Sequence, residues 1–268
     1  MSNPVSVLKE FVEVRGGKLA TIIKAPPKPI ADVVLVHGFT GSKEDFTDLS
    51  QLLAKLGFRV LTFDNRGQHE SSHSTNPDDY SMSSLANDVI ELSKYFGFRN
   101  PHLFGHSLGG LISQEVAFLE RNMWSSLTLF CSGPGGKNHW FDEPQFKNLT
   151  NETKSDIWRE IIAPQNFDNP KKDLKEKRWL ASDAVSTMAL HSHLRNFESR
   201  ISEIAKSEIP AHVVYGELDD VWPLIEQDEM ARELNAQLSV LPGCGHCPNE
   251  ENPELTAQTL ANFWSKAT

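Results

Sequence analysis

The first 25 residues contain two stretches in which apolar and polar side chains alternate. The stretches are Val5–Val14 and Leu19–Lys24, and the glycine pair Gly16 and Gly17 separates them. A period of two residues is typical of a strand with one buried face, and paired glycines favour a tight turn. The pattern therefore predicts an antiparallel hairpin in the N-terminal part of the chain.

Beyond a group of three prolines, short apolar runs alternate with segments of helical periodicity. The predicted strands are Asp32–Val36, Phe58–Phe63, Leu103–His106, Ser126–Cys131, Ala211–Tyr215 and Gln237–Leu241. The predicted helices include Ser83–Phe96, Glu226–Leu234 and Pro253–Trp264. Apolar strands that alternate with helices are typical of a parallel sheet covered on both faces. The fold class is therefore α/β, with a mostly parallel twisted sheet and helices on both of its faces.

Residues 134–208 interrupt this alternation with helical segments that are rich in aromatic side chains. We predict one core domain formed by residues 1–133 and 209–268, into which residues 134–208 are inserted as a helical cap. Trp140 and Phe141 of the insertion and Trp222 of the core are predicted to bind substrate. Ordinary packing of amphipathic helices would also account for several of the aromatic rings.

Composition narrows the class of protein and its partners. The chain has 268 residues, 39% of them hydrophobic and 23% charged, which is typical of one large domain with a substantial core. The net charge of −10 argues against a nucleic acid or an anionic membrane as partner. Apolar runs such as Val33–Val36 are too short to span a membrane. Three cysteines and no visible secretory signal favour a cytoplasmic location, while the oligomeric state stays open.

Gly105–Gly109 carries the pattern G-x-S-x-G between a short apolar run and a helix-like run. A serine on a tight strand-to-helix turn exposes its hydroxyl to a substrate. The helix that follows directs N–H groups and a positive dipole end at an oxyanion formed there. Ser107 is therefore the predicted nucleophile, and the N–H of Leu108, directly after it, is one predicted oxyanion donor.

A serine nucleophile needs a base within hydrogen-bond reach and a carboxylate that orients the base. His246 follows the last predicted strand and is the last histidine of the chain, so we predict it as the base. Asp219 follows the strand that ends at Tyr215, and we predict it as the acid. Asp220 and Glu217 in the same loop are the alternatives.

Two other histidines near these segments are not predicted to be the base. His106 is adjacent to the serine, and we expect its side chain to point away from the site. His37 precedes a glycine-rich loop after the first parallel strand, and we expect it to support the shape of that loop. Gly38 and Gly41 allow the backbone N–H of Phe39 to turn inward, so Phe39 is the second predicted oxyanion donor.

Five segments, in this order along the chain, resemble the α/β-hydrolase superfamily. They are His37–Phe39, Asp64–Gly67, Gly105–Gly109, Gly216–Asp219 and Gly245–His246, the last followed by Glu251–Glu254. The resemblance covers nearly the whole chain and implies the α/β-hydrolase fold and a triad of Ser107, His246 and Asp219. It also implies that neither a cofactor nor a metal is needed. One departure is His69, which stands where the family often has the second glycine of the loop that begins at Asp64.

Within the superfamily, the chain is most similar to carboxylesterases and to enzymes like monoacylglycerol lipase. This implies a serine hydrolase that cleaves a small carboxylic ester with an apolar acyl or alcohol part through an acyl-enzyme. Two alternatives stay open: a hydrolase of the carbon–carbon bond in a β-diketone-like substrate, and a ligand-binding sensor on a hydrolase scaffold. Cys244 and Cys247 form a C-x-x-C pattern around His246, and we expect a loop there rather than a redox site.

Overall fold

The computed structural model describes residues 4–136, 149–165 and 171–267. The strands are β1 (Ser6–Val14), β2 (Gly17–Ala25), β3 (Ala31–Val36), β4 (Phe58–Phe63), β5 (His102–His106), β6 (Ser126–Phe130), β7 (Ala211–Gly216) and β8 (Gln237–Leu241). They form one eight-stranded sheet in the order β1-β2-β4-β3-β5-β6-β7-β8. The pairs β1–β2 and β2–β4 are antiparallel, and all other neighbours are parallel. The predicted α/β fold class, with its N-terminal hairpin, is thereby confirmed.

The hairpin pairs in register from Ser6 opposite Ala25 to Val14 opposite Gly17. Its turn lies at residues 15–16, one position earlier than predicted, because Gly17 already belongs to β2. The φ of Gly17 is +129°, a backbone conformation that residues with a Cβ rarely adopt. The second glycine of the pair is therefore used to start the strand rather than to make the turn.

The inner parallel strands are buried on both faces. The side chains of Val33–Val36 in β3 are completely buried. The helices around the sheet and after β6 are α1 (Thr47–Lys55), α2 (Met82–Tyr95), α3 (Leu108–Leu119), α4 (Lys154–Ile157), α5 (Ala163–Gln165), α6 (Lys172–Ala181), α7 (Ala184–Asn196), α8 (Ile201–Ala205), α9 (Leu224–Glu233), α10 (Pro248–Glu251) and α11 (Pro253–Trp264). Helix α1 contacts α11, and helix α2 contacts α3. Burial on both faces explains why these strands are continuous apolar runs in the sequence.

Between β6 and β7, the described residues form helices α4 to α8, and a π-helical turn at Trp158–Ile162 joins α4 to α5. Part of this region has an apolar cluster of its own, formed by Leu149, Trp158, Trp179 and Ala184 and packed against Phe39. The division of the chain into a core and an inserted cap stays a prediction. Within the described ranges, every helix is too short or too polar to cross a membrane.

Candidate active site

The turn between β5 and α3 holds the predicted nucleophile in a strained backbone conformation. Ser107 has φ +54° and ψ −119°, a combination that residues with a side chain rarely adopt. The chain passes so close to its neighbours here that a Cβ on Gly105 would collide with the carbonyl of Gly109. A Cβ on Gly109 would collide with the carbonyl of Val36. Both glycines of the motif are therefore required by this packing.

Both the backbone N–H and the backbone carbonyl of Ser107 form hydrogen bonds. Its N–H donates to the carbonyl of Phe130 at 3.0 Å. Its own carbonyl accepts from the N–H of Gly110 and from the hydroxyl of Ser132, both at 2.8 Å. The residue is only 6% exposed and borders a cavity. The turn thus fixes the serine at a cavity wall.

The structure brings His246 and Asp219 together beside the same cavity. Nδ1 of His246 lies 2.9 Å from Oδ1 of Asp219. The carboxylate also accepts the N–H of Val221 at 3.0 Å and the side-chain amide of Gln227 at 3.3 Å. Burial opposes ionisation of Asp219, but these hydrogen bonds, first that of His246, outweigh it and lower its pKa. Asp219 is therefore kept as an anion behind the imidazole.

The two alternative acids of this loop lie elsewhere. Asp220 and Glu217 are both exposed. The carboxylate of Glu217 accepts the N–H of Gly243 at 3.0 Å and so closes the loop after β8 instead of reaching the cavity. Among these three carboxylates, Asp219 is the one that the structure places against His246.

Both predicted oxyanion donors lie on segments that meet at Ser107. Phe39 borders the cavity on the loop after β3. A Cβ on the neighbouring Gly38 would lie 3.1 Å from the Cβ of Ser107, so the loop and the turn are in contact. Leu108 is the first residue of α3, and N–H groups in the first turn of a helix have no acceptor within that helix.

A buried ammonium group, which sequence reasoning missed, holds the loop after β3. Lys43 is 5% exposed, and its Nζ donates to Asp64 and Glu70 at 2.7 Å each. Its backbone N–H donates to the other oxygen of Asp64 at 2.8 Å. Burial opposes the charge on Lys43, but the carboxylates, first that of Asp64, outweigh it and raise its pKa. No motif marks this lysine in the sequence, because its role depends on two distant loops meeting.

Two histidines support the neighbouring loops. Nδ1 of the buried His37 lies 2.8 Å from the carbonyl of Gly38, and its Nε2 accepts the N–H of Asn65 at 3.0 Å. This agrees with the expected supporting role of His37. His69 has φ +47°, which explains why glycine is common in the family at this position. Its imidazole is buried, 3.8 Å from the carboxylate of Glu44.

His106 differs from the expectation. Its side chain does not point away from the site: it borders the cavity, with Nε2 2.9 Å from the carbonyl oxygen of His246. The centroids of the two imidazole rings are 5.0 Å apart. The direction of this side chain depends on how the last loop folds back over the turn, which residues 105–109 alone do not specify.

Of the three predicted substrate-binding residues, Trp222 is the one that the structure describes. Trp140 and Phe141 lie outside the described residues. Trp222 is 1% exposed and packs on Gly133 in the core, and the described residues that border the cavity do not include it. Its contact with substrate stays a prediction. The apolar side chains that do border the cavity are Phe39, Trp158, Ile162 and Trp179, and polar side chains there include Asp45, Lys175 and Arg178.

Among the residues that the structure describes, two groups of side chains are close enough to hold a metal ion. In each group the ligand atoms lie within 4.8 Å of one another, and the groups are Cys131, Asp219 and His246, and Glu44, Asp64 and His69. The first group contains the hydrogen-bonded Asp219–His246 pair. In the second, the ammonium of Lys43 already binds both carboxylates, at 2.7 and 3.1 Å. We assign neither group as a metal site, because hydrogen bonds explain both.

The cysteines beside His246 are free thiols. Cys244 is buried, and Cys247 borders the cavity. Burial, aided by nearby carboxylates, raises the pKa of the Cys247 thiol to about 12. Because the thiolate is the reactive form, this environment favours the loop interpretation of the C-x-x-C pattern over a redox site.

Comparison with known proteins gives the same class as the fold. Residues 33–259 match the family model of the alpha/beta hydrolase family, and the chain belongs to that family. It is 25% identical to monoacylglycerol lipase abhd6-A of Xenopus laevis, over 90% of this chain and 77% of the lipase.

Other similar proteins are named for different enzymatic activities. The chain is 26% identical to the dihydrolipoyllysine-residue acetyltransferase component of the acetoin cleaving system of Pseudomonas putida, over 94% of this chain and 68% of that protein. The enol-lactonase from Burkholderia xenovorans LB400 superposes with a TM-score of 0.81 at 19% identity, covering 96% of this chain and 100% of the lactonase. Membership of the family therefore does not specify the substrate.

Proposed function

We propose that this protein is a serine hydrolase that cleaves a carboxylic ester through an acyl-enzyme formed on Ser107. The observation that supports this most is the 2.9 Å contact between His246 and the buried carboxylate of Asp219, at a cavity that Ser107 also borders. Because Nδ1 of His246 faces an ionised carboxylate, the proton of the neutral imidazole lies on Nδ1 and Nε2 carries the lone pair. His246 can then accept a proton at Nε2.

In the acylation half of the proposed reaction, Nε2 of His246 takes the proton of the Ser107 hydroxyl while the oxygen attacks the ester carbonyl. The N–H groups of Phe39 and Leu108 stabilise the oxyanion of the tetrahedral intermediate. The intermediate collapses, and the alcohol leaves with the proton held on Nε2. Asp219 stays ionised and stabilises the imidazolium that forms in between.

In the second half, His246 takes a proton from a water molecule, whose oxygen attacks the acyl carbonyl. The second tetrahedral intermediate collapses to the free acid, and His246 returns the proton to the oxygen of Ser107. Each proton that leaves a nucleophile is returned to a leaving group, so the cycle needs no cofactor and no metal.

We further propose that the apolar part of the ester lies against the aromatic side of the cavity. Phe39 contributes to this wall from the core, and Trp158 and Trp179 contribute from residues 134–208, which we take as the cap. Trp158 and Trp179 are about 4% and 3% exposed, so their rings are held by packing. Apolar pockets with a few placed polar groups are typical of sites for small molecules.

The proposal is tested with 4-nitrophenyl esters of graded chain length on the wild type and on Ser107→Ala. We expect the variant to lose at least about 10⁴-fold in kcat, because the residual rate then depends on binding and oxyanion contacts alone. Mass spectrometry after treatment with a fluorophosphonate should find the label on Ser107 and on no other residue.

Turnover of Ser107→Ala near the wild-type rate, or a label on another residue, would contradict the serine mechanism. A small set of β-dicarbonyl substrates, assayed alongside, separates ester cleavage from carbon–carbon cleavage. Accumulation of a stable acyl-protein without release of acid would instead favour the ligand-binding sensor.

A further inference from the structure

His106 connects three segments of the candidate site. It is the last residue of β5, directly before Ser107, and its Nε2 lies 2.9 Å from the carbonyl oxygen of His246. On the other side of the ring, Nδ1 lies next to the loop after β3, since a Cβ on Gly38 would be 3.4 Å from it. The edge of the ring also packs on Phe130, with centroids 5.7 Å apart. The imidazole is therefore wedged between the predicted nucleophile, oxyanion loop and base.

The direction of the hydrogen bond follows from its acceptor. A carbonyl oxygen can only accept, so His106 donates from Nε2, and its neutral ring carries the lone pair on Nδ1. Burial, with a smaller effect of the nearby His246, lowers the pKa of His106 to about 4. His106 is thus a neutral donor at pH 7 and adds no positive charge beside the imidazolium that His246 must become.

Hydrogen bonds from backbone N–H groups to Glu251 fix the loop that carries His246. The carboxylate of Glu251 accepts the N–H groups of Gly245 and Cys247, on either side of the histidine. The carbonyl of Cys244 accepts the N–H of Leu218 at 2.8 Å. The carbonyl of His246 itself faces His106, whose Nε2 lies 2.9 Å away.

We propose that His106 is a positioning residue that fixes the backbone of His246 relative to Ser107 through this hydrogen bond. The proposal rests on the proposed serine mechanism, since it concerns the transfer of a proton between those two residues. His106 directly precedes Ser107 in the chain, so its hydrogen bond to the carbonyl of His246 ties the backbone of the base to that of the nucleophile. Losing it frees the loop on one side and leaves a carbonyl without its donor.

Two substitutions of similar polarity separate this role from general packing. In His106→Gln, the side-chain amide nitrogen can occupy the place of Nε2 and donate to the carbonyl of His246. In His106→Asn, the amide is one bond shorter and cannot reach it. We expect kcat of the Asn variant to fall between about ten- and a hundredfold, since small misplacements of reacting groups have effects of this size. KM should stay within about twofold of the wild type, and the Gln variant should keep kcat within about threefold.

The rate of labelling by a fluorophosphonate should fall in the Asn variant by the same factor as kcat, and thermal unfolding checks that all proteins are folded. Equal kcat values for the Asn variant and the wild type, or equal losses in the Asn and Gln variants at equal melting temperature, would overturn the positioning role. If the wild type is not labelled at Ser107 and Ser107→Ala keeps its turnover, the proposed function itself fails. If the wild type is labelled and the Asn variant reacts at the same rate, only the role of His106 fails.

Discussion

The histidine at the rim of the sheet and the histidines inside it lie in opposite environments. His246 is on a loop, its side chain is 18% exposed, and Nδ1 contacts the carboxylate of Asp219. His102 and His106 in β5 and His212 in β7 are buried, and burial lowers the pKa of each to about 4. His246 is therefore the candidate base, because a carboxylate is hydrogen-bonded to its ring, whereas burial keeps the three interior histidines neutral at pH 7.

The interior histidines have uncharged hydrogen-bond partners, which indicate a structural role for these side chains. Nδ1 of His102 lies 2.8 Å from the hydroxyl of Ser126, and its ring stacks on Trp264 with centroids 5.4 Å apart. Nε2 of His212 lies 2.9 Å from the hydroxyl of Ser239. These contacts need no charge on the ring. The interior histidines thus join strands and helices, and of these four histidines His246 is the one with a carboxylate hydrogen-bonded to its ring.

The largest effect is expected from removing the charge behind His246. Asp219→Asn keeps the shape of the side chain, but its amide favours the wrong tautomer of the imidazole and cannot stabilise the imidazolium. We expect kcat for a 4-nitrophenyl ester to fall by about 10³- to 10⁴-fold. The matched control is Asp220→Asn on the exposed neighbour, which should keep kcat within about twofold. Comparable losses in both variants would mean that the loop, and not the carboxylate at 219, matters.

A second effect concerns stability at acid pH and tests the interior histidines. A histidine with a lowered pKa in the folded state adds stability above the pKa of the unfolded chain, about 6.5. This contribution is lost as the pH falls from 6.5 towards 4, because only the unfolded chain then binds the proton. Each such histidine makes the free energy of unfolding fall by about 1.4 kcal/mol per pH unit in this range. Urea unfolding of the wild type at pH 7, 6 and 5 should show a steep decline.

Substitution shows which residues cause that decline. His212→Gln keeps a donor for Ser239 but cannot be protonated, so its decline between pH 6 and 5 should be smaller by about 1 kcal/mol. His73→Gln is the matched control, because His73 is exposed. Its decline should equal that of the wild type. The same decline in all three proteins would place the acid sensitivity in other groups.

The strands and the positions of the loop residues could be predicted because each depends on a local pattern. Strands β4 and β8 have the predicted bounds, and the others differ by one or two residues at one end or, for β2, at both ends. The proximity of Asp219 and His246 could also be predicted, because the carboxyl ends of parallel strands meet at one edge of a sheet. Their roles in catalysis remain predictions.

Contacts between distant loops could not be predicted. The ring of His106 meets the carbonyl of His246 across 140 positions of sequence, and the ammonium of Lys43 meets Glu70 across 27. Neither contact follows from a period or a motif, because both depend on how the loops pack after the sheet has formed. The same holds for Trp158 and Trp179, whose positions at the cavity depend on the packing of the inserted helices.

The smallest effect on kcat is expected from replacing Gln227, one of the hydrogen-bond donors to the ionised carboxylate of Asp219. Gln227 is completely buried, its amide nitrogen donates to Oδ2 of Asp219 at 3.3 Å, and its carbonyl oxygen has no hydrogen-bond partner among the described residues. Gln227→Met removes an unpaired acceptor, but also the donor to Asp219 and, at 3.4 Å, to the carbonyl of Trp222, so the free energy of unfolding at pH 7 should fall by about 1–3 kcal/mol. The loss of one hydrogen bond of about 0.5–1.5 kcal/mol predicts a fall of about two- to tenfold in kcat.

The variant should also raise the pKa of Asp219, because one of the hydrogen bonds that lower it is gone. The stability that a carboxylate with a lowered pKa contributes is lost as the pH falls through its folded-state pKa, so the variant should lose it at a higher pH than the wild type does. Gln258→Met, an exposed glutamine on α11, is the control and should change neither kcat nor acid stability. A loss in Gln227→Met as large as in Asp219→Asn would mean that Gln227 is needed to orient the carboxylate and not only to stabilise its charge. An unchanged kcat would mean that the hydrogen bonds from His246 and Val221 are sufficient.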